Sequence, residues 1–188
     1  MNNNSFIDNR PQELCKMCGL CCRLVTASES YDQLLIDSAN GVQDAIDFLN
    51  IFIPYSSTSD ARLINDQHVN NILNTFPLEE RSNVIFYHCR FLLDDNKCSI
   101  YQNRPLLCRR CPASPWVVMP PNCGFLPYLQ EKRYEIINYI KKVKLTLLTC
   151  ESFPDDYFLT SRNITIKQLK DQLLDKITPF LKYGAQDW

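Results

Sequence analysis

Apolar residues set the first boundaries along the chain. Between Tyr31 and Ile53 they recur at Leu34, Leu35, Ala39, Val42, Ile46, Leu49 and Ile53. That spacing predicts one or two amphipathic helices, interrupted at Gly41. Pro54–Asp60 reads as a loop, and Asp66–Phe76 as a short helix that stops before Pro77. The texture then changes. Asn83–Leu93 is aromatic and branched, which predicts a short strand. Asp94-Asp95-Asn96-Lys97 predicts a turn, with Cys98–Tyr101 as the returning strand. Arg104-Pro105 opens a short helical turn, because the fixed φ of proline suits a first helical position. Trp116–Pro121 is a proline-bounded loop. Periodicity is strongest in Pro127–Cys150, where Leu129, Ile136, Ile137, Ile140, Val143, Leu147 and Leu148 share one face. A final helix is expected from Thr165, with Gln168 as capping-box partner, to about Tyr183. Pro179 should kink it or end it early.

A chain of 188 residues with 45% hydrophobic content can bury a core and suits one domain. The expected division is a flexible arm at 1–12, a cysteine-cluster domain at 13–150 with a helical insertion at 31–76, and a C-terminal helical extension at 151–188. The formal net charge of −1 gives no electrostatic case for nucleic acid or an anionic membrane. The start, MNNNSFIDNRPQ, lacks the basic-then-apolar layout of a signal peptide. No apolar run reaches the length of a bilayer span. A soluble cytoplasmic protein is expected.

The cysteines change this picture. Four of the ten lie in Cys15-x-x-Cys18-Gly-x-Cys21-Cys22, four more fall between Cys89 and Cys111, and Cys123 follows. Cytosolic thiols stay reduced, so such density points to metal rather than disulfides. His68 and His88 are the only histidines, which leaves little room for a Cys/His zinc finger. A Cys-x-x-Cys turn puts two sulfurs on one side of a tight loop, with backbone N–H groups toward them. Gly19 suits a left-handed residue close to a metal. Cys15, Cys18 and Cys21 supply three ligands, as in the first part of a ferredoxin run, and Cys108 or Cys111 can supply a fourth. Adjacent Cys21 and Cys22 point to opposite sides of extended backbone. They therefore suggest different metals, a bridging thiolate, or one ligand with a free neighbour. Counting leaves two four-thiolate sites, one cubane with a second metal, or a single site with spares. Arg90, Lys97, Arg104, Arg109 and Arg110 surround the second block in sequence and would offset thiolate charge.

The two blocks together resemble the YkgJ family, the CxxCxxCC group of zinc- or iron-chelating domains. That group shows Cys-x-x-Cys-Gly-x-Cys-Cys, then Cys-x-Phe-Leu and Cys-x-Ile-Tyr-x-x-Arg-Pro-x-x-Cys-Arg. Here the matching residues are Cys15–Cys22, Cys89-Arg-Phe91-Leu92 and Cys98-Ser-Ile100-Tyr101-Gln-Asn-Arg104-Pro105-Leu-Leu-Cys108-Arg109. The resemblance covers roughly residues 13–27 and 86–125. It implies eight metal-binding cysteines, carried onto Cys15, Cys18, Cys21, Cys22, Cys89, Cys98 and Cys108, with Cys123 as the eighth. Cys111 departs from the pattern, which usually has an aromatic residue before that proline, so it is an extra ligand or a bystander. The group is related to flagellin lysine N-methylases, which hints at alkyl transfer. No Gly-x-Gly-x-x-Gly loop for S-adenosylmethionine is present. Nor is the Cys-x-x-x-Cys-x-x-Cys spacing of radical enzymes of that cofactor, because Val25 takes its third position.

Other residues read more plainly. Cys150, on the long helix, is expected as a small buried hydrophobe. His88 is expected as a packed or surface strand residue rather than a ligand. Tyr101, Arg104 and Pro105 are expected to hold Cys98 and Cys108 in register. Phe86, Tyr87, Phe91, Trp116 and Phe125 read as a small core around the metals. Glu79 and Glu80, like Asp94 and Asp95, read as helix-start and turn residues. No phosphate loop, nucleophile elbow or cysteine–histidine catalytic pair is found.

The fold expected is a metal-stabilised single domain, mainly α with small β-hairpin or irregular cysteine knuckles, in which the two blocks converge. Three functions are consistent with this. One is an iron–sulfur protein with a redox or electron-transfer role, favoured by thiol number, ferredoxin-like spacing and the resemblance. Another is a zinc-stabilised structural or binding module. The third is a metal-dependent enzyme that modifies a protein side chain. The cofactor is an iron–sulfur cluster or zinc. The sequence does not identify the protein partner or substrate.

Overall fold

The computed structural model describes residues 10–181. The described residues are mainly α, 55% of them helical, with two small antiparallel strand pairings. Residues 1–9 of the expected arm, and the expected helix end near Tyr183, lie outside the described residues. Contacts divide the chain into two compact units. Among the described residues no helix is long and apolar enough to cross a membrane.

The first unit comprises Arg10–Ala113 and Val117–Leu126. It contains the helices α1 (Leu20–Arg23), α2 (Tyr31–Ala39), α3 (Gln43–Ile51), α4 (Thr58–Leu73) and α5 (Leu106–Arg109). Its strands are β1 (Phe52–Pro54) and β2 (Tyr87–Cys89). The two helices expected between Tyr31 and Ile53 are α2 and α3, broken at Gly41, whose φ is 80°. Ser30 caps α2, its hydroxyl accepting from Gln33 N–H at 3.2 Å. The break resets the helical phase. The inner face of α3 is Ala45, Phe48 and Ile51, whereas Val42 is exposed.

Helix α4 begins at Thr58, within the expected loop, because Ser57 supplies a cap to Asp60 N–H. At Asn65 the backbone leaves helical geometry (φ −166°, ψ 98°), and the Asn65 side chain accepts from His68 N–H at 2.8 Å. Asn65 thus caps a second helical segment, which is the one expected from Asp66.

Strand β2 pairs with β1, in the register Phe52↔Cys89, Ile53↔His88 and Pro54↔Tyr87. Its other edge is taken by Val25, which exchanges two backbone bonds with Tyr87 at 3.0 and 2.8 Å. With both edges occupied, the expected returning strand Cys98–Tyr101 reduces to a single bridge between Leu92 and Cys98. One core gathers Leu34, Ala45, Phe48, Ile51, Phe52, Tyr87 and Cys89, with Cys22, Leu107 and Cys108 packed against it. Phe48 meets Tyr87 edge-on at 5.0 Å.

The second unit comprises Ser114–Trp116 and the chain from Pro127. Helix α6 (Leu126–Cys150) lies within one residue of the expected range. Strands β3 (Phe158–Leu159) and β4 (Ile164–Thr165) form a hairpin leading into α7 (Ile166–Leu181). The capping box is present: Thr165 N–H donates to Gln168 Oε1 at 2.9 Å, and Gln168 N–H to Thr165 Oγ1 at 3.3 Å. Helical backbone continues through position 179 to Leu181. Ile136, Ile140 and Val143 pack with Ile177, and Cys150 with Ile166 and Leu169. Trp116 joins the first of these clusters, which corrects its expected place beside the metal-site aromatics.

Candidate metal centre

Left-handed residues turn the first cysteine block. Met17 (φ 48°) separates Cys15 from Cys18, and Gly19 (φ 74°) precedes α1. Cys22 N–H then donates to Gly19 O at 3.0 Å. A Cβ at Gly19 would lie 2.9 Å from Asn96 Cβ and Oδ1, so glycine is needed for space as well as for φ. Asn96 sits in the turn between Cys89 and Cys98, and its Oδ1 accepts from Arg23 Nε at 3.3 Å and Nη2 at 3.0 Å.

The Cys123 turn approaches more closely still. A Cβ at Gly124 would lie 1.9 Å from the Leu14 carbonyl oxygen. Cys123 is thereby held beside the backbone that leads into Cys15. Gln12 adds a third tie. Its Nε2 donates to Arg109 O at 2.9 Å, its Oε1 accepts from Arg104 Nη2 at 3.2 Å, and its carbonyl accepts from Tyr101 Oη at 3.4 Å.

All nine clustered cysteines fall in the first unit. None of the ten is in a disulfide. Electrostatic influence sorts the nine into neighbourhoods. Burial raises Cys89, and Cys22 and Cys98 raise it further, against opposing hydrogen bonds from the backbone at Phe91 and Leu92. Cys108 is pushed up to about 11, by burial first and then by Cys89, Cys22 and Cys98. Cys22 is held well above the ordinary thiol range, first by its hydrogen bond with Cys21 and then by burial. Cys89 and Cys108 thus each have Cys22 and Cys98 as neighbours. Cys123 is raised by burial and by Cys18 and Cys15, with the Phe125 backbone opposing. Cys111 is exposed as a residue, yet burial of its thiol, helped by Cys22, Cys108 and Cys123, pushes it up to about 12. Cysteines of both groups thus act on it.

Of the expected cations, Arg104 acts on Cys22 and Cys108 and lowers both. Its guanidinium lies 3.8 Å from the Tyr101 ring centroid, and its Nε donates to Tyr101 O at 3.1 Å. Lys97 pairs instead with Asp95, and Arg110 lies 3.8 Å from Asp44. Sequence reasoning missed three cations: Arg23 beside Cys22, Lys16 beside Cys123 and Arg10 beside Cys111. Arg23 and Lys16 directly follow cysteines in sequence, a signal that was available. Cys150 is buried on α6, as expected. His88 lies in β2, where its ring packs tilted against Tyr55, with centroids 5.0 Å apart. Phe86, Tyr87 and Phe125 are buried beside the cysteine segments.

A family model described as "CxxCxxCC: Putative zinc- or iron-chelating domain" matches residues 14–138. The chain belongs to this family. No curated protein and no solved structure matches it. In this CxxCxxCC chain the match spans all nine clustered cysteines. Among the described residues no three Cys, His, Asp or Glu side chains converge tightly enough to hold an ion. The donor set nonetheless fits zinc or iron. It consists of neighbouring thiols, partly buried against an apolar core, with backbone N–H bonds at Cys89 and Cys123. The nine clustered cysteines of this metal-binding domain all lie in the unit described first.

Proposed function

We propose that this protein carries an iron–sulfur centre with a redox or electron-transfer role. The observation that carries the reading is a set of four thiols in which Cys89 and Cys108 each neighbour Cys22 and Cys98, with Cys22, Cys89 and Cys108 packed on the apolar core of one compact unit. Four thiolates match the ligand count of an iron–sulfur cluster. Cys15, Cys18 and Cys123, with Cys111 as fourth donor, would hold a second metal. Cys21 remains as a neighbouring or bridging thiol. A bound cluster would supply one-electron transfer. The protein's own residues gather the thiols, exclude water from Cys89 and Cys108, and set cations beside the negative charge. A zinc-stabilised module is the second reading, favoured because buried four-thiolate groups suit closed structural sites. Free thiols throughout agree with a reducing compartment, and we assign the protein to the cytoplasm.

The test is a redox titration followed by electron paramagnetic resonance on protein purified without oxygen. A signal that appears on reduction and disappears reversibly on reoxidation supports the electron-transfer role. Metal-loaded protein that stays silent and colourless through the whole titration supports the zinc module.

A further inference from the structure

Beside Cys18 the first unit carries an open groove of about 460 Å³. Leu63, Ile64 and Pro121 line it together with Leu20, and Arg23 and Asn96 supply its polar part. Leu63 is 86% exposed and Ile64 37%, immediately before the break in α4 at Asn65. These two side chains give the groove an apolar wall that aliphatic side chains of a partner can cover. We propose that this groove docks an extended segment of a protein partner, one that carries a carboxylate between aliphatic side chains.

Charge complementarity selects the carboxylate. No Asp or Glu lines the groove, and no ion pair to Arg23 is found among the described residues, although Arg23 also acts on the neighbouring Cys22 thiol. Arg23 is fixed in place, with Nε and Nη2 sharing Asn96 Oδ1 at 3.3 and 3.0 Å. Asn96 is itself seated on Gly19, where a side chain would collide with it. The guanidinium is therefore held in advance, which lowers the ordering cost of meeting a carboxylate. An open groove encloses a small molecule poorly, whereas a chain segment can lay successive side chains along it. The docking site does not depend on which metal the thiols hold.

The test uses two fluorescein-labelled heptapeptides, one with Leu-Glu-Leu at its centre and one with Leu-Gln-Leu, titrated by anisotropy into the full-length metal-loaded protein. The glutamate peptide is expected to bind about tenfold tighter than its glutamine counterpart. Arg23→Gln should remove that difference, and Leu63→Asp should weaken both peptides about tenfold. Leu63 is exposed, so its replacement leaves the fold intact. Metal content, measured on the wild type and on each variant, separates the groove from the metal centre: wild-type protein that purifies without metal yet shows the same peptide pattern counts against the metal reading alone. The proposal is overturned by equal affinity for the two peptides, by no binding at about 1 mM peptide, or by indifference to Leu63→Asp. It is also overturned if Leu63→Asp instead abolishes self-association of the chain or its capture by anionic vesicles.

Discussion

Gly124→Ala tests how the cysteine blocks are joined. The added Cβ would lie 1.9 Å from the Leu14 carbonyl oxygen, 3.0 Å from its carbon and 3.2 Å from Lys16 Cγ. Ordinary contact begins at 3.4 Å, so one backbone segment must retreat by about 1.5 Å. The Lys16 side chain can swing away, but the Leu14 backbone runs directly into Cys15 and cannot. Overpacking costs about 1–3 kcal/mol, and an obstacle made of backbone belongs at the upper end. A loss near 3 kcal/mol lowers the midpoint of a chain this size by about 10 °C. The retreat also separates Cys123 from Cys15 and Cys18. Metal per chain should fall, while the Cys22, Cys89, Cys98 and Cys108 group keeps its share. Gly41→Ala is the control: nothing lies within 4 Å of its Cβ, and only the left-handed φ of 80° is strained. That variant should lose about 1 kcal/mol and no metal. Calorimetry and elemental analysis on the three proteins decide the matter. A Gly124→Ala protein with wild-type midpoint and metal content would refute the proposed junction.

Three further outcomes are expected. Cys15→Ser and Cys108→Ser should each lower metal content and stability, whereas Cys150→Ser, buried in the other unit, should leave metal content unchanged; full occupancy in the first two would break the ligand assignment. Arg104→Ala removes bonds to Tyr101 O and Gln12 Oε1 and the ring contact. It should cost about 1–2 kcal/mol without reducing the number of metal ions bound, and loss of one equivalent would make Arg104 more than a support. His68 is 1% exposed, its Nδ1 has no hydrogen-bond partner among the described residues, and burial lowers its pKa from 6.5. The unfolded state then binds more protons below pH 6.5, so stability is present above that value and is lost as pH falls through the folded pKa. Chemical denaturation at pH 7 and pH 5 should show that loss, and His68→Leu should shrink it; an unchanged slope would absolve His68.

Legibility followed the range of the signal. Helix α6 and the Thr165–Gln168 capping box were readable because periodicity and caps are local properties. The spacing of Cys15 to Cys22 and of Cys89 to Cys108 was equally local. Pairing of β2 was not, because its partner strand lies at Phe52–Pro54, far back in the chain. The first half of α4 was hidden by the phase break at Asn65, which scrambles a helical pattern across Thr58–Leu73. Trp116 looked like a metal-site aromatic by proximity in sequence, yet packs with Ile136 and Ile140. The closeness of Gly124 to Leu14, the reach of Gln12 and the Arg23–Asn96 bond all join segments far apart in the chain. No single-residue signal carries such contacts.

The central claim is that these thiols hold a metal centre, and quantifying iron, zinc and acid-labile sulfide on protein purified without oxygen tests it most directly. The account predicts a coloured protein with iron and sulfide in comparable amounts, both reduced by Cys108→Ser and unaffected by Cys150→Ser. Zinc without sulfide would contradict the iron–sulfur assignment, and protein free of both metals would contradict the metal centre itself.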